Sequence, residues 1–309
     1  MTLGPWSILS LTDREAVDVE DPGQHFRAVV ARGAARPEAL AALGGYWADR
    51  AAHAFVCGYG AALQRLHATE PVVLTALAAT EAKGVHPRAM ETKLRRQGAE
   101  LRLSGCKSFV SLAGHAEWLW VLADEAPATA ERKQLRLVRV SPRASGVALA
   151  RLPDLPFVPE VAHYQVTLDD VPVASGDVLP GDGWSDYVRP FRTLEDTFVM
   201  LAVLGYLVRV TEGHGPETSQ RAQLLTNMAA LLHVASLSPA DAATHLLLAE
   251  VLQAAGEAVR AVVGVWPESA ERQRFLRDLP LLQVAERARE ARLARAREAL
   301  YVARPAQGD

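Results

Sequence analysis

Cysteine is scarce: the 309 residues hold two, Cys57 and Cys106, far apart in the chain. A pair so sparse builds no disulfide framework and has no metal-ligand spacing, so a reducing cytoplasm is the expected setting. Long apolar runs are also missing. No stretch reaches the roughly 18 uninterrupted apolar residues needed to span a bilayer. The opening Met1-Thr2-Leu3-Gly4-Pro5-Trp6 lacks the basic and apolar regions of a secretory leader. No membrane partner is expected. Nor is there an excess of positive charge: 33 Lys and Arg stand against 36 Asp and Glu, a net charge of −3. That balance gives no footprint for nucleic acid. His115, His163, His214, His233 and His245 are scattered. None pairs in a way that implies zinc or a triad, and each reads as an ordinary surface or core histidine. There is no internal repeat.

What is present suggests a soluble globular protein of about two domains on the length prior. Half of the residues are hydrophobic and 22% are charged. Residues 24 to 68 are Ala-rich, and Phe55, Tyr59, Leu63 and Leu66 recur at helical spacing, as core packing requires. From Pro71 the texture becomes β-prone, in short runs over 99–103, 107–111, 118–122, 135–140 and 164–168. The last two alternate apolar and polar residues, as half-buried antiparallel strands do. After the turn-rich Leu179-Pro180-Gly181-Asp182-Gly183 the chain is helical again, over 194–209, 219–237, 239–264 and from about Pro280 onward. Ser238-Pro239 reads as a cap followed by proline at the first helical position.

Helices, then strands, then a helical bundle is the layout of the acyl-CoA dehydrogenases, and local motifs of the middle segment resemble that family. Gly105-Cys106-Lys107-Ser108-Phe109-Val110-Ser111 followed by Ala116-Glu117-Trp118 is the most specific match. Thr80-Glu81-Ala82-Lys83-Gly84-Val85-His86-Pro87 stands where the family has Thr-Glu-Pro and a Gly-Ser-Asp turn. Leu168-Asp169-Asp170-Val171-Pro172-Val173 and Gly181-Asp182-Gly183 resemble its closing strand and turn. The resemblance implies an α+β fold: an antiparallel β-barrel middle domain (71–183) between a reduced N-terminal helical segment (1–70) and a C-terminal helical bundle (184–309).

It also implies an FAD-dependent oxidoreductase acting on CH–CH bonds of an acyl-CoA or a carrier-bound thioester. Ser111 would hydrogen-bond the flavin ring, Phe109 would pack on it, and Thr80 would reach its pyrimidine side. Gly84 and His86, with Lys83 or Arg88 nearby, would meet the pyrophosphate. The stretch from Arg277-Asp278 to Glu286-Arg287-Ala288 aligns without a gap with the segment that carries the family's base, and places Glu286 on it. Glu250 and Glu257 are the fallback positions for branches whose base lies earlier. The family's Arg-x-Phe-Gly motif is missing, with Glu212-Gly213-His214-Gly215-Pro216-Glu217 in its place. A homodimer or homotetramer through the C-terminal helices is expected. The alternative is a non-catalytic, flavin-free relative serving as a scaffold or as a subunit of a hetero-oligomer.

Overall fold

A computed structural model describes residues 2–11, 16–17, 19–98, 100–127, 130–212 and 219–302. Position 99, at the start of one expected strand, and the 213–218 segment lie outside these residues. By its internal contacts the chain forms two compact units, one of Met1–Arg65, Pro156–Val158 and Arg192–Asp309, the other of Leu66–Leu155 and Pro159–Phe191.

The helical unit opens with α1 (Pro22–Ala31), α2 (Pro37–Tyr46) and α3 (Ala51–Leu66). Asp21 caps α1 by accepting from the Gln24 amide at 2.7 Å, and proline stands in the first turn of both α1 and α2. Every residue of α3 from Ala51 to Leu63 is buried, so the Phe55, Tyr59 and Leu63 stripe is core, as expected. These helices meet α4 (Arg189–Glu212) backbone to backbone. A Cβ on Gly45 would stand 1.8 Å from the Ala202 carbonyl oxygen, and one on Gly205 would stand 2.2 Å from that of Ala42. Glycine is what permits so close an approach.

α5 (Ser219–Ser236) and α6 (Ala242–Val265) follow, then α7 (Ala270–Asp278) and α8 (Glu286–Arg297). Two helix starts differ from expectation. α6 begins at Ala242 rather than Pro239, because Ser238–Asp241 closes a turn in which the Asp241 amide donates to the Ser238 carbonyl at 3.2 Å. The last helix does not run unbroken from Pro280. A 3-10 turn spans Leu279–Gln283, and α8 starts only at Glu286.

The second unit holds one seven-stranded sheet: β1 (Thr75–Ala78), β2 (Lys93–Gln97), β3 (Glu100–Ser111), β4 (Trp118–Asp124), β5 (Leu135–Val140), β6 (Val147–Arg151) and β7 (His163–Val173). The strand order is β1-β4-β2-β3-β7-β6, with β5 paired to β4. The α+β class holds, but the sheet is mixed and curled rather than wholly antiparallel. β1 pairs parallel with β4 (Thr75↔Trp118), and β2 touches β4 in parallel at Lys93↔Asp124. β1 reads Thr-Ala-Leu-Ala and is buried throughout, so it carries no period-two signal. The two runs expected as separate strands around Gly105 are one strand, β3, with register shifts at Leu103/Gly105 and Lys107/Val110. Leu103, Val110, Leu119, Val121, Val138 and Val166 form the centre of its core.

Candidate functional site

The far end of β3 brings three of the expected residues, Thr80, Phe109 and Ser111, into one neighbourhood. The second register shift turns the chain at Phe109, whose φ of 53° is left-handed. For a non-glycine residue such a conformation costs about 1–2 kcal/mol and persists only where the surroundings impose it. The shift sends Val110 into the core at 1% exposure and leaves Phe109 59% exposed. Ser111 follows at half burial, opposite His163 of β7. Thr80 is held beside them, since its carbonyl accepts from the Ser108 amide at 2.9 Å.

A buried charge pair sets this geometry. Lys107 Nζ donates to Glu81 Oε1 at 2.7 Å, with side chains 0% and 5% exposed. Burial pushes the Lys107 amine down to about 8 against the opposing pull of Glu81. For Glu81 burial is the largest single effect and pushes its carboxyl up. The hydrogen bonds from Lys107, Thr92 and the Glu91 amide outweigh it and hold the group below its ordinary value.

The turn expected at the pyrophosphate is tight. The Glu81 amide donates to the Gly84 carbonyl at 3.0 Å and the Gly84 amide to that of Glu81 at 2.8 Å, with Gly84 at φ 98°. A Cβ there would meet nothing within 4 Å, so the backbone is open to approach. His86 is exposed and its Nδ1 accepts from the Arg88 amide at 3.2 Å, which leaves Nε2 as its outward atom. Lys83 is engaged with Glu91 at 2.6 Å. On the ring side an exposed phenyl stands beside a half-buried hydroxyl, groups that could meet a flat aromatic ligand. The turn supplies an open backbone and an imidazole for an anion.

Glu286 lies in the helical unit as the first residue of α8, where it is exposed. Glu250 and Glu257 are exposed on α6. Further along α8, Arg289 and Arg292 both bind the buried Asp196 of α4, Arg289 Nη1 at 3.1 Å. Among the described residues no group of three or more His, Cys, Asp or Glu side chains could hold a metal ion. No helix of the described residues is long and apolar enough to cross a membrane. The pattern reading singled out neither Glu81 nor Lys107 as a pair. A lysine inside an otherwise apolar-facing strand was the available signal.

The chain has the acyl-CoA dehydrogenase fold. It is similar to FkbI, for biosynthesis of the methoxymalonyl extender unit of the Fk520 polyketide immunosuppressant, with TM-score 0.65, 18% identity and coverage of 96% of this chain and 100% of that one. The prolyl acyl carrier protein oxidase AnaB superposes with TM-score 0.62, 16% identity and coverage of 84% and 82%. For butyryl-CoA dehydrogenase from Megasphaera elsdenii the TM-score is 0.60, identity 17% and coverage 85% and 81%. No curated protein matches the sequence. Residues 76–171 match the acyl-CoA dehydrogenase middle domain.

Proposed function

We propose that this protein is an FAD-dependent, acyl-CoA dehydrogenase-like oxidoreductase acting on a CH–CH bond of an acyl-CoA or carrier-bound thioester. The observation that carries the reading is Phe109: a large aromatic, 59% exposed, held in a left-handed conformation at a bulge beside Ser111. Exposure and strain together are costly for plain packing and natural for a platform that a ring covers.

When bound, FAD would supply the acceptor for the hydride. The chain's own residues would do the rest. Phe109 offers an apolar face that keeps water from one side of the ring. Ser111 offers a hydroxyl, and Thr80 a hydroxyl at half burial. Gly84 lets the backbone approach a pyrophosphate, and His86 Nε2 provides a polar contact for it. Glu286 would take the α-proton of the thioester on its carboxylate. The expected assembly is a homodimer or homotetramer through the C-terminal helices, which leave Leu247 45% and Val265 52% exposed on α6.

A second reading has its own support. Glu286 faces solvent at the head of α8, a position in which a carboxylate complements the helix dipole without further function. A non-catalytic, flavin-free relative would leave it so. Titration of the purified chain with FAD, followed by quenching of flavin fluorescence, separates the two readings. Saturable binding that Phe109→Ala weakens at least fivefold supports the first. No uptake at high micromolar FAD removes it.

A further inference from the structure

One side chain on the outer face of the β3–β7 ladder belongs to none of the motifs that carry the resemblance. His163 opens β7 directly opposite Ser111. Its ring meets Phe109 edge-on, with centroids 5.9 Å apart and planes inclined by 62°. Paired residues of an antiparallel ladder project to the same face. Ser111 and His163 therefore share the outer face, and the bulge places Phe109 beside them. The inner face is occupied by Val110 at 1% and Val166 at 0% exposure. Burial pushes the His163 imidazole below its ordinary value, opposed by the nearby Val161 backbone and by the Asp154 charge, and its Nδ1 is buried without a hydrogen-bond partner. A neutral imidazole carries one N–H donor and one bare acceptor nitrogen.

A phenyl face fixes the plane of a flat ligand, and a single hydroxyl fixes one point on its rim. The ring remains free to pivot about that point within the plane. A third group, set to one side of both, removes the pivot.

We propose that His163 is a positioning residue for a flat heteroaromatic ring laid on Phe109: its imidazole braces Phe109 edge-on and turns a polar edge toward the heteroatom rim of that ring, opposite Ser111. This rests on the flavin reading above and adds to it the residue that sets the ring's rotation. A histidine that merely filled space would be replaceable by any ring of similar size, whereas a positioning histidine is not.

The test uses the full-length protein, FAD as the probe, and two variants. His163→Phe keeps an aromatic edge against Phe109 and loses the polar edge, while His163→Gln keeps a polar group and loses the ring. Affinity is read by flavin fluorescence quenching, and ring environment by the position of the visible band of bound flavin. Loss of one net hydrogen bond weakens binding about fivefold, so His163→Phe should bind that much more weakly with a shifted band. His163→Gln should bind more weakly than the parent but more tightly than His163→Phe, since an amide can replace the polar edge but not the ring that braces Phe109. Thermal unfolding of each variant checks that the fold is kept. If His163→Phe binds FAD as tightly as the parent, with an unshifted band, the positioning role is overturned and the flavin reading stands. If the unaltered protein binds no FAD, both fall.

Discussion

Lys107 Nζ and Glu81 Oε1 stand 2.7 Å apart in the interior of the β unit, and the pair ties the middle of β3 to the loop that follows β1. The same carboxylate accepts from the Thr92 amide at 3.0 Å, from Thr92 Oγ1 at 2.7 Å and from the Glu91 amide at 2.7 Å. Four donors therefore fix one side chain, and with it the loop that carries Gly84 and His86. Two residues beyond Lys107 the chain turns outward at Phe109. The pair is thus the inner anchor of the surface to which a ring is assigned.

Breaking this pair from one side leaves the other charge buried without its partner, which typically costs 3–5 kcal/mol. Lys107→Met should lower the unfolding free energy, read from denaturant titration, by an amount in that range. Adding Glu81→Gln to it should recover a large share, because a neutral amide keeps hydrogen-bonding capacity and removes the stranded charge. Equal losses in the single and double variants would show that the two side chains do not depend on each other.

Acid sensitivity should come from the helical unit. His25 and His53 stack at 4.7 Å, and His53 Nδ1 lies 2.8 Å from Asp49 Oδ1. Burial above all, with the neighbouring His53, pushes the His25 imidazole down to about 3, although its hydrogen bond to the Gly44 carbonyl works the other way. An unfolded chain takes up a proton near its ordinary value of 6.5, which the fold refuses. The His25 contribution is therefore complete above 6.5 and is lost as pH falls from 6.5 toward 3. One such proton gives a slope of about 1.4 kcal/mol per pH unit. His25→Phe should flatten the dependence of the urea midpoint between pH 6.5 and 5, even though it lowers stability at pH 7. An unchanged slope would assign the acid limb to other groups.

Much of the architecture was legible because its signals are local. Period-two alternation in Leu135–Val140 marked β5, and the helical stripe of Phe55, Tyr59 and Leu63 marked α3. What stayed hidden depends on distant partners. Thr75–Ala78 is a strand because Trp118–Val121 lies beside it in parallel, and a short buried run with no alternation gives no sign of that. The exposure of Phe109 was equally hidden, since a one-residue bulge reverses which side chains face outward. Thr80, Phe109 and Ser111 were singled out by motif. His163, lying opposite Ser111 across the ladder, could be placed there only by register.

The helix junction around Gly205 offers a steric test. Its absent Cβ would lie 2.2 Å from the Ala42 carbonyl oxygen and 3.2 Å from the Tyr46 amide, both rigid backbone atoms. Gly205→Ala must push α4 away from α2, and overpacking of this kind costs about 1–3 kcal/mol. Gly256, on α6, would meet only the flexible Arg260 guanidinium at 3.6 Å. Gly256→Ala should instead be neutral or stabilising by up to ~1 kcal/mol through helix propensity. Comparing the two melting temperatures isolates the contact from the propensity.

Arg289 and Arg292 hold α8 to α4 through the single carboxylate of Asp196, which is 8% exposed. Burial is the largest effect on that carboxyl and pushes its affinity for a proton up against the pull of both arginines. Asp196→Asn should leave two guanidinium groups short of a charge partner and loosen α8 from the bundle. The expected signature is faster amide exchange over Glu286–Arg297 with little change in α5. Uniform exchange throughout the helical unit would point to global destabilisation instead.

Glu286 at the head of α8 is the sharpest point of division for the proposed chemistry. If its carboxylate removes the α-proton of a thioester, Glu286→Gln should abolish turnover while fold and FAD affinity stay as they were. Loss of a general base costs about 10²–10⁴ in rate, which any accepted thioester would reveal. A base for a carbon-bound proton works best when withdrawn from water, whereas this carboxylate is exposed on the first turn of its helix. In the non-catalytic reading the same substitution removes only a favourable charge near a helix N-terminus, worth about 0.3–1 kcal/mol at low salt. The two outcomes differ in kind. A variant that binds FAD but has lost turnover assigns the base, and one that loses only a few tenths of a kcal/mol of stability assigns Glu286 to the helix. If turnover survives in Glu286→Gln, the same assay on Glu250→Gln and Glu257→Gln of α6 locates the carboxylate that acts in its place.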